Sequence, residues 1–252
     1  GNTAVGDDAL KALTTASNAT AVGDYAADAV TTASGVSAFG NGALGACTTG
    51  ANNTGIGVGA GEDITTSPNN TCVGYLAGRN ISTGSGGNVV IGREAGTSLT
   101  TGTNNIIIGD TSDVAAVDSA QSVTLGNGSI GTLRCQVQSI SALSDRRDKK
   151  DIQDLDYGLD FINTLHPVKF TWNMRSGDKV DIKEVGFIAQ ELDESQNKFD
   201  AEEYLQLVLK DNPEKLEAAM GKLLPSMVKA IQELSAKVEE LEEWKEENTC
   251  CG

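Results

Sequence analysis

Two hydrophobic periodicities divide the chain. Over residues 1–143 a short run of small or β-branched residues closing on glycine, Thr-Ala-Val-Gly or a relative of it, recurs with its glycine at Gly6, Gly23, Gly40, Gly57, Gly74, Gly92, Gly109 and Gly126. Six of the intervals are 17 residues and one is 18. Such a unit is too short for a βαβ element and too rich in Gly, Thr and Asn for a helical hairpin. Two short strands joined by two tight turns suit it better. Stacked copies predict a mainly β shaft, either a parallel β-roll or an intertwined triple β-helix, with rungs about 4.8 Å apart. Val5, Val22, Phe39, Ile56, Val73, Ile91, Ile108 and Leu125 each precede a periodic glycine. They are expected to stack inward as a ladder and supply the core. The 18-residue interval contains Ser82 to Gly87, so its extra residue is expected in a turn. Inside a strand, a one-residue slip would turn every side chain to the other face.

Beyond Ser144 the pattern changes. Leu155, Leu159, Ile162 and Leu165 follow helical spacing up to His166-Pro167, which stops the helix. Val168 to Trp172 alternates as a strand, Val180 to Phe187 reads as a second, and Ile188 to Leu192 opens a short helix. Residues 144–222 are therefore expected to form a small α+β domain. In residues 223–248, Leu224, Ile231 and Val238 take heptad position a while Met227, Leu234 and Leu241 take d, which predicts a carboxyl-terminal coiled coil. The Glu-rich end, Glu239 to Glu247, fits a solvated, projecting helix.

Composition sharpens this division. Residues 1–143 hold 24 of the 29 glycines, and both tryptophans lie after them. The net charge is -16, with 4 basic against 10 acidic residues before Ser144 and 15 against 25 from Ser144 onward. No basic patch stands out in either half, which disfavours nucleic acid as a partner. No apolar run approaches the roughly 20 residues that span a bilayer, so a membrane is not expected either. The opening at Gly1-Asn2-Thr3 falls within a repeat, as expected of a fragment of a longer protein. Cys47, Cys72 and Cys135 lie singly and are expected to be small buried side chains, whereas Cys250-Cys251 either crosslinks parallel chains in an oxidising medium or forms a frayed, reduced tail. No cysteine spacing suggests zinc, and no metal or cofactor is expected. Tyr25, Phe39 and Tyr75 are the aromatic residues of the repeats, so a lone 17-residue coil has little to bury and several chains are expected to associate.

The junction of the two halves carries the candidate chemistry, Leu143-Ser144-Asp145-Arg146-Arg147-Asp148-Lys149-Lys150-Asp151-Ile152. A serine followed five residues later by a lysine can be read as a nucleophile and its base, because a hydroxyl is a poor nucleophile near neutral pH without a proton acceptor beside it. Arg146, Arg147 and Lys150 are the cationic neighbours, opposed by Asp145 and Asp148. The spacing is awkward: five residues lie about 140° apart on a helix and on opposite faces of a strand. A bent loop or a neighbouring chain must bring the two together. His166 is expected to be structural, and Glu191 with Asp193 shows no sign of an opposed-carboxylate cleft.

Ser144-Asp145-x-Arg147-x-Lys149-x-x-Ile152, Leu165-x-Pro167-Val168-x-Phe170-x-Trp172, Val185 to Leu192 and the closing heptads resemble the intramolecular chaperone auto-processing domain, of the S74 self-cleaving peptidase type, that ends bacteriophage tailspikes, tail fibres and neck appendages. The resemblance implies that three copies assemble, template the trimeric folding of the preceding fibre, and detach by autoproteolysis at Leu143-Ser144. It makes Ser144 the nucleophile and Lys149 its partner, with Asp145, Arg147 and Ile152 as supporting motif residues. It further implies a homotrimer located in the virion, whose mature fibre binds a host receptor or polysaccharide and whose chaperone is released in the host cytoplasm. The competing expectation is a permanent trimeric adhesin with a clamp that cuts nothing. A Thr-rich ice-binding roll is a third.

Overall fold

The computed structural model describes residues 1–136, 140–175 and 177–249. The chain forms two compact units, Gly1–Thr132 and Leu133–Gly252.

The first unit is a β-solenoid with one short strand per 17-residue coil. Strands β1 (Thr3–Val5), β2 (Thr20–Val22), β3 (Ser37–Phe39), β4 (Thr54–Ile56), β5 (Thr71–Val73), β6 (Val89–Ile91), β7 (Ile106–Ile108) and β8 (Val123–Leu125) pair parallel in chain order. Each residue faces its counterpart in the next coil, Ala21 opposite Ala38 and Cys72 opposite Val90. Rungs pair within the chain, so each solenoid is wound from one chain. Two strands per repeat were expected. The rest of each coil is instead turns, tied to the next rung by main-chain hydrogen bonds such as Ala27 N–H to the Ala43 carbonyl, 2.9 Å. The extra residue of the long interval falls between Ser82 and Asn88, outside the strands, and leaves the register unbroken.

The periodic glycine is obligatory. Gly6, Gly23, Gly40, Gly57, Gly74, Gly92 and Gly109 sit at φ between +130° and +137°, a region that side chains exclude. At Gly40 an added Cβ would lie 2.5 Å from the Gly57 carbonyl oxygen of the next rung.

The core reverses the expected phase. Ala21, Ala38, Cys72, Val90 and Ile107, at the centre of each strand, are fully buried. The predicted inward ladder points out instead, with Val5, Phe39, Ile56, Ile91, Ile108 and Leu125 all exposed, and Val22 and Val73 half-buried. A strand must send one alternate set inward; here the set is the strand-centre position, and Leu44, Ile64, Ile81 and Leu99 from the turns fill the rest of the interior. Tight packing enforces an exchange along the axis. Where the strand centre is Gly55, Leu44 fills the space, 2.9 Å from where a Cβ would stand. Where the centre grows to Cys72 and Val90, the position opposite becomes Gly78 and Gly96. A second column, Asn53, Asn70, Asn88 and Asn105, is buried and fully partnered, as buried amides must be. Asn70 N–H donates to Asn53 Oδ1 at 2.8 Å, and Asn53 Nδ2 to the Ser67 carbonyl at 2.8 Å. The Thr31, Thr48 and Thr65 hydroxyls also donate to the next rung's carbonyls, so these donors serve the stack rather than water.

The second unit contains α1 (Leu159–Ile162), the antiparallel hairpin β9 (Val168–Asn173) and β10 (Val180–Gly186), α2 (Ala189–Lys198), α3 (Glu202–Leu205), the short pair β11 (Val208–Leu209) and β12 (Glu217–Ala218), and α4 (Leu223–Thr249). Phe161, Leu192, Ala201, Leu205, Leu207, Val208 and Leu223 form its core. The helix expected from Leu155 begins only at Leu159, because Gly158 interrupts it. Its first N–H donates to Glu233 Oε2 of α4 at 2.7 Å. Helix α4 docks through Leu223, Ser226 and Ala230, while its heptad residues Leu224, Met227, Ile231, Leu234, Val238 and Leu241 stay exposed. Cys47 and Cys72 are buried as expected, whereas Cys135, expected to be buried with them, is exposed; the Cys250-Cys251 expectation lies outside the described residues. No helix among the described residues is long and apolar enough to cross a membrane.

Replacing Gly40 by Ala is expected to cost at least about 3 kcal/mol, from forbidden backbone and carbonyl clash together. Gly42 sits at φ +63° with nothing within 4 Å of an added Cβ. The same replacement there should cost only about 1 kcal/mol. Denaturant unfolding of the two variants checks the contrast, and equal losses would contradict it.

Candidate functional site at the Leu143-Ser144 junction

Residues 140–145 have no regular secondary structure, and Leu143 is 98% exposed. A three-residue 3₁₀ turn, Arg146–Asp148, follows at once. Asp145 starts it as a helix cap: its Oδ1 accepts the Arg147 N–H at 2.8 Å, satisfying a donor that the turn leaves free. The same carboxylate takes the Arg147 guanidinium in a fork, Nε to Oδ1 at 3.1 Å and Nη2 to Oδ2 at 2.6 Å. The turn closes with Lys149 N–H donating to the Arg146 carbonyl at 3.2 Å.

This turn is the bent loop that the five-residue spacing demands. Three residues per turn, followed by an extended Lys149, fold the side chain back over Ser144. Lys149 Nζ lies 2.6 Å from Ser144 Oγ. Both residues are exposed, and the ammonium donates to the hydroxyl. Base chemistry needs the opposite polarity, a neutral amine accepting the hydroxyl proton. Such an amine requires that water be excluded from Lys149 or that other cations crowd it.

The neighbours divide unevenly. Arg147 is committed to Asp145, and Lys150 lies 3.9 Å from Asp151. Arg147 also holds the Asp145 carboxyl below the usual carboxylate range, first through the guanidinium and then through the main-chain N–H. Ile152 is exposed. His166 Nδ1 pairs with Glu191 Oε2 at 3.0 Å. Asp193 pairs with Lys210 at 2.7 Å. Among the described residues no group of three His, Cys, Asp or Glu is placed to hold a metal.

Residues 144–201 match the family Peptidase_S74, chaperone of endosialidase. The match begins at Ser144 itself and covers under a quarter of the chain. No curated protein and no solved structure matches it. The match sets a region similar to the chaperone of endosialidase after the β-solenoid in the chain, and the family it matches is one of self-cleaving peptidase-type chaperones. The chaperone region holds a contact that motif reading did not supply. Glu233, outside the matched residues, caps α1 and ties α4 to it, a link 74 residues long that no local signal announces. The Asp145 cap, by contrast, had a readable signal, an aspartate directly before a turn.

The Asp145 carboxyl should titrate below free aspartate in an NMR pH series. Its stabilisation of the turn is complete above the ordinary carboxylate value and is lost only as pH falls through the lowered one. Arg147→Ala should move the midpoint back up. A wild-type midpoint at the free value would remove the ion pair from the account.

Proposed function

We propose that this chain is a bacteriophage tail-fibre or tailspike fragment that builds and then frees its own shaft. Its chaperone region gathers three chains, aligns their solenoids and cuts the Leu143-Ser144 bond. The observation that carries this reading is the approach of Lys149 Nζ to 2.6 Å from Ser144 Oγ, at the first residue of the matched region.

The chemistry balances without a cofactor. Lys149, as a neutral amine, takes the Ser144 hydroxyl proton, and Oγ attacks the Leu143 carbonyl carbon. The C–N bond breaks as the proton passes to the departing nitrogen, which leaves Leu143 esterified to Oγ and a free amine on Ser144. Water then hydrolyses the ester to a Leu143 carboxylate and restores the hydroxyl. The cycle turns once on its own chain.

Exposure of the pair in a single chain supports a dependence on assembly. Lys149 reaches Ser144 while both are exposed, and a neighbouring subunit covering the pair would supply the desolvation that a neutral amine needs. Two surfaces favour such neighbours. Helix α4 leaves its heptad seam exposed, with Ile231 and Leu241 more than 60% exposed. The β9–β10 hairpin leaves Val180, Ile182 and Val185 exposed, although a lone two-stranded sheet is marginal in water. In this reading the released fibre resides in the virion and binds a host surface receptor or polysaccharide.

Expressed wild-type chain should run on a denaturing gel as two pieces, with a new amino terminus at Ser144. Ser144→Ala and Lys149→Ala should each leave one band. Intact wild-type chain after trimer formation would overturn self-cleavage and favour the permanent adhesin with a non-cleaving clamp.

Asp145→Ala should open the turn while sparing both reactive groups, and slow cutting on the order of 10²-fold through misplacement. Asp145→Asn, which keeps a cap acceptor, should lose less. Unchanged cutting in the alanine variant, followed by timed gel sampling, would mean that the turn does not position Lys149.

A further inference from the structure

The outward ladder of the solenoid has no function in the reading so far. Eight strands present two outward rows, one residue and three residues before each periodic glycine. The first row is Val5, Val22, Phe39, Ile56, Val73, Ile91, Ile108 and Leu125. The second begins as Thr3, Thr20, Ser37, Thr54 and Thr71 and turns apolar as Val89, Ile106 and Val123. No charged residue occupies any of these positions, in a chain whose net charge is -16. The exposed apolar members of the two rows range from 38% at Ile91 to 65% at Val123, with Val22, Val73 and Val89 half-buried between them, so an uncharged apolar stripe runs the length of one face, the kind of continuous patch that marks an interaction surface.

We propose that this stripe is the face through which solenoids of identical chains pack on one another, parallel and in register, around a common axis. The proposal rests on the trimeric reading above and adds where the shaft's contact lies. Three observations select a copy of this chain as the occupant. The ridges repeat once per rung over eight rungs, and only a surface with the same rung spacing can interdigitate with all of them; an unrelated partner would match one or two. The stripe also survives the 18-residue interval without a break, because the extra residue is set aside in the turn after Ser82. Finally, the second row is graded from hydroxyl to aliphatic along the chain. Parallel, in-register copies set Thr3 against Thr3 and Ile106 against Ile106, whereas antiparallel copies would bury the threonine hydroxyls against Ile106 and Val123 without partners.

The test uses the full chain carrying Ser144→Ala, so that it stays whole, with Cys135, Cys250 and Cys251 replaced by Ser. Cys47 and Cys72 are buried and remain. Ile56→Cys places a thiol on the stripe, and Thr49→Cys places one on an exposed turn of the same solenoid. A short bifunctional thiol reagent applied to the native protein should join Ile56→Cys chains into dimers on a denaturing gel and leave Thr49→Cys chains single. In a mixture of Ile56→Cys with Ile91→Cys chains, proteolytic mapping should find like joined to like. Light scattering of the same samples gives the oligomeric state. A trimer in which Ile56→Cys fails to join, or Thr49→Cys joins equally, overturns the stripe while leaving the trimeric reading intact. A monomer overturns both. Because Ile56→Cys could disturb packing, Val123→Cys on the same stripe repeats the measurement at another rung, and failure of both with a trimer present is decisive.

Discussion

The close approach of successive rungs at the glycine column is the constraint on which the solenoid depends. From Gly6 to Gly92 each periodic glycine lies so near the next coil that a Cβ would stand 2.6 Å or less from a carbonyl oxygen, and φ between +130° and +137° is open to glycine alone. That corner fixes where each strand ends and in what direction the chain leaves it. Once it repeats, every strand has the same length, every coil the same phase, and every side chain a counterpart one rung away. The asparagine column and the threonine hydroxyls follow from this, since each needs a partner at the same position of the next coil.

A coil this tight leaves little interior, and the consequences run outward. The centre of each strand must be small, or its growth matched by loss opposite it, as between Leu44 with Gly55 and Cys72 with Gly78. The larger aliphatic residues are left on the other side of the strand. Their position was the main point at which sequence reading and structure parted. Period-two alternation says that one set of residues shares a face but not which face is inside; here Leu44, Ile64, Ile81 and Leu99 enter the interior from the turns, and the strand-centre position completes it.

Much else was legible because its cause is local. The 17-residue period, the turn that absorbs the extra residue, the strands β9 and β10 and the heptad helix each declare themselves within a few residues. What was not legible came from distance or from an uncommon local shape. Glu233 caps α1 from far along the chain, and nothing near either residue foretells it. The approach of Lys149 to Ser144 depends on a 3₁₀ turn, a geometry that neither helix nor strand periodicity describes; the Asp145 cap that sets it was present in the sequence as a signal for a turn, not for a site.

A stack of near-identical rungs carries a weakness that bears on why such a shaft would need the unit that follows it. Two solenoids displaced by one coil still set most ridges into grooves, so slipping by 17 residues costs little along the stripe's uniform row. The graded second row opposes slippage only where Thr71 gives way to Val89. On the trimeric reading, a unique element at one end removes the ambiguity, because α4 and the hairpin occur once per chain and bring the copies level before the repeats close on each other. In the proposed assembly this makes the chaperone region necessary during folding and dispensable afterwards. Once every ridge is interlocked, sliding would mean parting all the rungs together, so cutting at Leu143-Ser144 removes a guide without loosening what it guided.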